Sequence, residues 1–92
     1  MREQVLSVEE MKATLLQTVG SEHPLLITKK NKEIMSGFVR GFADLNCNIL
    51  LISEKVDSLA MRIVEIKNIS EVVYPSLISR DSASSRVLRA RH

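Results

Sequence analysis

The sequence predicts a mostly β fold of the small-barrel α+β kind. An N-terminal helix is followed by a strongly bent, five-stranded antiparallel sheet, all in a single domain over 1–92. Three observations predict it. A capping box opens an apolar helical stripe at Ser7. Four or five short apolar segments follow, joined by short turns. Two glycines interrupt the longest of those segments.

The helix is placed at about 8–19. In Ser7-Val8-Glu9-Glu10 the Ser7 hydroxyl can accept from a backbone N–H of the first turn, while Glu10 reaches back to the cap. Val8, Met11, Leu15 and Val19 fall on one helical face. Gly20 stands where the helix end needs a left-handed residue, and Pro24 bars continuation. The sheet is placed at about 25–89. Leu25 to Thr28 forms a first strand, ended by the turn Lys29-Lys30-Asn31-Lys32, which by itself is an ordinary solvated turn. Glu33 to Ala43 is a long strand bent at Gly37 or Gly41. Asp44 to Asn48 is a tight Asx-rich turn, Ile49 to Ile52 a buried strand, and Met61 to Tyr74 a β-branched strand stopped by Pro75. Ser79 to Ser85 is a polar loop, and Val87-Leu88 closes a last strand. Met61–Tyr74 and the strand near Val87 would be exposed apolar edges, so the isolated chain is expected to be oligomeric or poorly soluble.

Composition narrows the function. Of 92 residues, 45% are hydrophobic and 26% charged, the balance of a folded chain rather than a disordered one. No apolar run reaches the roughly 20 residues that span a bilayer. The start, MREQVLSVEE, lacks the pattern of a signal peptide, so no membrane partner is expected. The single Cys47 fits a reducing compartment, nucleus and cytoplasm. It lies between two asparagines and is expected to be a small buried residue rather than a nucleophile. His23 and His92 have no nucleophile or carboxylate at a useful spacing, so neither an enzyme nor a cofactor or metal is expected.

Net charge is only +2, but four arginines, Arg80, Arg86, Arg89 and Arg91, stand near the end of the chain against Asp81 alone. Arginine pairs with phosphate and stacks on bases, so this points to a polyanion. An aromatic sheet face is excluded as the reader, because the only aromatics are Phe38, Phe42 and Tyr74. Base recognition falls instead to polar loops: Asp44-Leu45-Asn46-Cys47-Asn48 and Ser79-Arg80-Asp81-Ser82. From the residues alone, the first loop reads rather as an Asx turn satisfying its own backbone.

The run Gly37-Phe38-Val39-Arg40-Gly41-Phe42-Ala43-Asp44-Leu45-Asn46-Cys47-Asn48-Ile49-Leu50-Leu51 resembles the first motif of the Sm and Sm-like family. That motif carries a glycine in a bent strand, an aspartate at the turn, and an asparagine four residues later. The order of helix, Pro24-Leu25-Leu26-Ile27 and a Lys/Asn turn is similar to the D-type spliceosomal Sm proteins, and Ser79-Arg80-Asp81-Ser82 resembles the second motif. The resemblance implies a subunit of a heteroheptameric ring with other Sm-type subunits. Such a ring binds uridine-rich small nuclear RNA in the core of a spliceosomal ribonucleoprotein, for pre-mRNA splicing. It further implies that Asn48 hydrogen-bonds a base, Asn46 packs on it, Asp44 holds the loop by accepting backbone N–H groups, and Arg80 stacks from the opposite loop. Two alternatives stand beside it: an Sm-like ring in RNA decay or RNA chaperoning, and an Sm-fold scaffold that binds protein without touching RNA.

Overall fold

The computed structural model describes residues 2–74 and 86–91. Its elements are β1 (Arg2–Leu6), α1 (Val8–Leu16), β2 (Leu25–Lys29), β3 (Ile34–Phe42), β4 (Ile49–Ser53), β5 (Arg62–Glu65), a 3₁₀ turn (Ile66–Asn68), β6 (Ile69–Tyr74) and β7 (Arg86–Ala90). The domain is mostly β with one helix near its start, as the sequence predicts.

The cap forms as expected. The Ser7 N–H donates to Glu10 Oε1 at 2.9 Å, and the Glu10 N–H donates to Ser7 Oγ at 3.2 Å. These bonds to Ser7 hold the Glu10 carboxyl below its ordinary value. The helix is shorter than predicted, ending at Leu16, with turns through Gly20, whose φ is +82°. Its buried face is Met11 and Leu15 alone; Val8 and Val19 are exposed. Two side chains four apart suffice to seat so short a helix on the core.

The sheet has seven strands, not five, in the order β1-β7-β6-β2-β3-β4-β5. Every pairing between β2 and β7 is antiparallel, but β1 lies parallel to β7, so the sheet is mixed. The predicted strand Met61–Tyr74 divides into β5, the 3₁₀ turn and β6, because Ile66 and Ile69 turn into the core on either side of the polar pair Lys67-Asn68. Of the expected edges, β5 within Met61–Tyr74 is free, and the rest are corrected. β6 is interior, between β2 and β7; β7 is interior, between β6 and β1. The free edges are β1 and β5.

The bend falls in β3. Its first half, Ile34–Gly37, pairs with β2, and its second half, from Phe38, pairs with β4. The register with β4 shifts between Val39 and Gly41, a bulge at which Gly41 takes φ +148°. At Gly37, where the partner changes, β4 presses so close that a Cβ would lie 2.2 Å from the Ile52 methyl and 2.7 Å from the Ser53 carbonyl oxygen. The core inside this fold is aliphatic: Met11 and Leu15 from α1 meet Ile27, Met35, Val39, Leu50, Ile52, Val64, Ile66, Ile69, Val72 and Leu88. Ser53, fully buried, satisfies its hydroxyl on the Lys55 carbonyl at 2.8 Å.

Strands β1, β7 and β6 are laced by arginines. Arg89 Nε lies 2.9 Å from Glu3 and 3.4 Å from Glu71, and Arg86 donates to Gln4 Oε1 at 2.9 Å. The Arg86 guanidinium also sits 5.5 Å from the centre of the Tyr74 ring. Tyr74 donates to the Thr14 carbonyl at 3.4 Å, and burial pushes its phenol up to about 12 despite the opposing pull of Arg86. The folded state therefore favours the neutral phenol. Its contribution is full below the ordinary value of 10.0 and is lost as pH rises through about 12. Because Tyr74 is the only tyrosine, phenolate absorbance reports it directly. The expected result is an alkaline loss of melting temperature that follows this titration and is absent in Tyr74→Phe. An identical alkaline loss in that variant would remove Tyr74 as its cause.

No helix among the described residues is long and apolar enough to cross a membrane.

Candidate nucleic-acid interface

Loop Asp44–Asn48 closes the hairpin from β3 to β4. The Ala43 N–H donates to the Ile49 carbonyl at 2.8 Å. Inside it, Asp44 Oδ1 accepts from the Asn48 N–H at 2.8 Å and from the Ile49 N–H at 2.9 Å, while Oδ2 lies 3.1 Å from the Asn48 nitrogen. The Cys47 N–H donates to the Asp44 carbonyl at 3.3 Å, and Cys47 takes φ +57°. A carboxylate at the first position satisfies the backbone donors that a left-handed residue exposes at the end of the turn. Asp44 therefore anchors the loop, as expected. Cys47 departs from expectation: it is half-buried and supplies the left-handed corner.

Because Asp44 holds the Asn48 backbone, the Asn48 side chain has no bond to satisfy within the loop and is exposed. Asn46 is exposed on the same loop. Asp44, Asn46 and Asn48 are thus brought together. Arg80, the fourth predicted residue, and the surrounding Ser79–Ser82 lie outside the described residues.

The element that abuts the loop is one the sequence did not single out. The Ile66 N–H donates to the Asn48 carbonyl at 2.9 Å, which sets the 3₁₀ turn against the loop. A cavity of about 280 Å³ opens between them, lined by Val8, Asn48, Glu65, Ile66 and Lys67. Lys67 thus lines the same cavity as Asn48, together with the Glu65 carboxylate. Its signal was the polar pair Lys67-Asn68 inside an otherwise β-branched run. The arginine-rich segment, in turn, is partly committed elsewhere: Arg86 and Arg89 bind β1 and β6 side chains.

Among the described residues no group of three or more His, Cys, Asp or Glu side chains is placed to hold a metal ion. Chemically, the site offers the Asn48 amide, which both donates and accepts, a second exposed amide at Asn46, and one cation and one carboxylate, Lys67 and Glu65, lining a small cavity. Comparison with protein-family models, curated proteins and solved structures gives no match to this chain.

Proposed function

We propose that this chain binds single-stranded RNA through the Asp44–Asn48 loop and the adjoining 3₁₀ turn, as an Sm-type subunit. One observation carries the proposal. The Asp44 carboxylate takes up the loop's backbone donors, and the exposed Asn48 lines one cavity with Lys67. An asparagine amide has the donor and acceptor needed for the Watson–Crick edge of uracil. Lys67 supplies attraction for the neighbouring phosphate, and Asn46 packs on the base. By the sequence resemblance, the RNA is a uridine-rich small nuclear RNA and the setting a spliceosomal ribonucleoprotein core. Ring neighbours would join through β1 and β5.

The test is oligo-uridine binding by the full chain, with any Sm-type partners it requires, at two salt concentrations. Asn48→Ala should weaken binding by about 1–3 kcal/mol, as a base edge is left unpaired. Lys67→Gln should weaken it less at high salt and lower the salt slope by about 0.7, one phosphate contact on a single strand. Unchanged affinity in both variants would leave the loop with no RNA role.

A second function, a protein-binding scaffold, is favoured by the β5 edge. Ile63 there is 66% exposed, with Met61, Leu59 and Val56 exposed nearby. Ile63→Lys should then abolish assembly while Asn48→Ala changes nothing.

A further inference from the structure

We propose that the cleft between the β2–β3 turn and the 3₁₀ turn binds a backbone phosphate of the RNA strand whose base occupies the Asn48 cavity. The inference rests on the RNA function above and extends it to a second subsite. The cleft, of about 440 Å³, is lined by Lys29, Lys30, Asn31 and Asn68.

The turn that forms it is built rather than loose. The Lys32 N–H donates to the Lys29 carbonyl at 2.9 Å, the Lys29 N–H to the Glu33 carbonyl at 2.8 Å, and Lys32 takes φ +72°. Asn31 Oδ1 accepts from the Glu33 N–H at 2.9 Å, which leaves the amide nitrogen of Asn31 as the donor end of that side chain. The Lys30 N–H donates to the Asn68 carbonyl at 2.7 Å, locking the hairpin turn onto the 3₁₀ turn. A sequence run that alone reads as a solvated turn is therefore one wall of a cleft whose other wall is the 3₁₀ turn leading into β6, the strand beside β2.

The charges favour an anion. Lys29 pairs with Glu33 at 3.1 Å; Glu65 accepts from the neutral Asn68 amide at 3.0 Å and keeps its charge, which Lys30 and Lys32 outnumber. Among the described residues, no carboxylate lies within ion-pair distance of Lys30, Lys32 or Lys67, and all three are exposed. The Lys30 ammonium and the Asn31 amide nitrogen line the cleft together, with Lys32 on the same turn, and a cation beside a neutral N–H donor is phosphate chemistry.

Continuity selects RNA among phosphate ligands. Lys67 lines the Asn48 cavity and its neighbour Asn68 lines the lysine cleft, so the two sites share the 3₁₀ turn as a common wall. A nucleotide chain, with a planar hydrogen-bonding base joined to a phosphate, is a ligand that can engage two sites walled by consecutive residues.

The test compares the full chain with Lys30→Gln/Lys32→Gln, both exposed changes that leave the fold's hydrogen bonds in place. For oligo-uridine the double variant should lose about tenfold in affinity at low salt, with the salt slope lowered by about 0.7 per lost phosphate contact. In addition, amide chemical shifts are followed during titration with inorganic pyrophosphate, where Lys30, Lys32 and Asn68 should move and Asn46 should not. Full RNA affinity and an unchanged slope in the double variant, while Asn48→Ala weakens binding, would overturn the phosphate subsite and leave the base site standing. Pyrophosphate shifts at these amides in a chain that binds no oligo-uridine would support the anion cleft and overturn the RNA function. No shifts and no slope change would overturn the cleft outright.

Discussion

Gly37→Ala is expected to destabilise the domain by about 3 kcal/mol or more, at the upper end of what overpacking a core does. The new methyl would sit 2.2 Å from the Ile52 methyl and 2.7 Å from the Ser53 carbonyl oxygen. A side chain can rotate away, but the carbonyl belongs to β4 and is held by the register Phe38↔Ser53. Relief therefore requires β3 and β4 to part where the sheet bends. In a domain of this size, whose total stability is on the order of 5–14 kcal/mol, the melting temperature should fall by more than about 12 °C. Gly41→Ala is the matched comparison, because nothing lies within 4 Å of its Cβ position and only the backbone conformation resists. Circular dichroism melts of the two variants decide the matter. A Gly37→Ala protein melting within a few degrees of the parent would mean that β4 does not approach as closely as described.

Asp44→Ala is the second large effect. It removes the acceptor for two backbone N–H groups, one of them partly buried at Ile49. Hydrogen bonds to a charged acceptor contribute more than neutral ones, and losing both should destabilise the chain by about 2–3 kcal/mol in urea unfolding. On the proposed RNA function, affinity should fall with it, since the loop that presents Asn48 loses its anchor. Asp44→Asn keeps one carbonyl oxygen at the same place and should cost about 1 kcal/mol. Asn48→Ala should leave stability unchanged while weakening RNA. A variant set in which Asp44→Ala is as stable as Asn48→Ala would show that the carboxylate does not organise the loop.

Local chemistry made parts of this legible in advance. The Ser7–Glu10 cap and the Asp44–Asn48 turn declare themselves in a few consecutive residues, because both are side chains satisfying backbone groups close in sequence. Gly37 and Gly41 likewise marked the bend, since a glycine in a strand signals close approach or a bulge. The misses share the opposite cause. β1 (Arg2–Leu6) has little apolar alternation, and it is a strand only because β7 offers it a parallel edge from the far end of the chain. The division of Met61–Tyr74 is also non-local: β5 follows β4 while β6 crosses to pair with β2. No run of β-branched residues encodes such a change of partner. The site divided the same way, with Asn48 visible and Lys67 hidden, because the turn that carries Lys67 acquires its neighbour only through the Ile66–Asn48 hydrogen bond.

The parallel pairing of β1 with β7 also sets a timetable. Arg2 aligns with Arg86 and Leu6 with Ala90, so β1 has no β7 to pair with until almost the whole described chain has followed. At elongation rates of about 5–20 residues per second, that leaves β1 waiting on the order of ten seconds. The antiparallel strands β2 to β5, joined by short connections, have everything they need to pair during this interval. Closing β1 onto β7 is then the step with the longest loop to restrain and the last contact to form. From its own synthesis until β1 docks, β7 is an open edge at which another chain could pair.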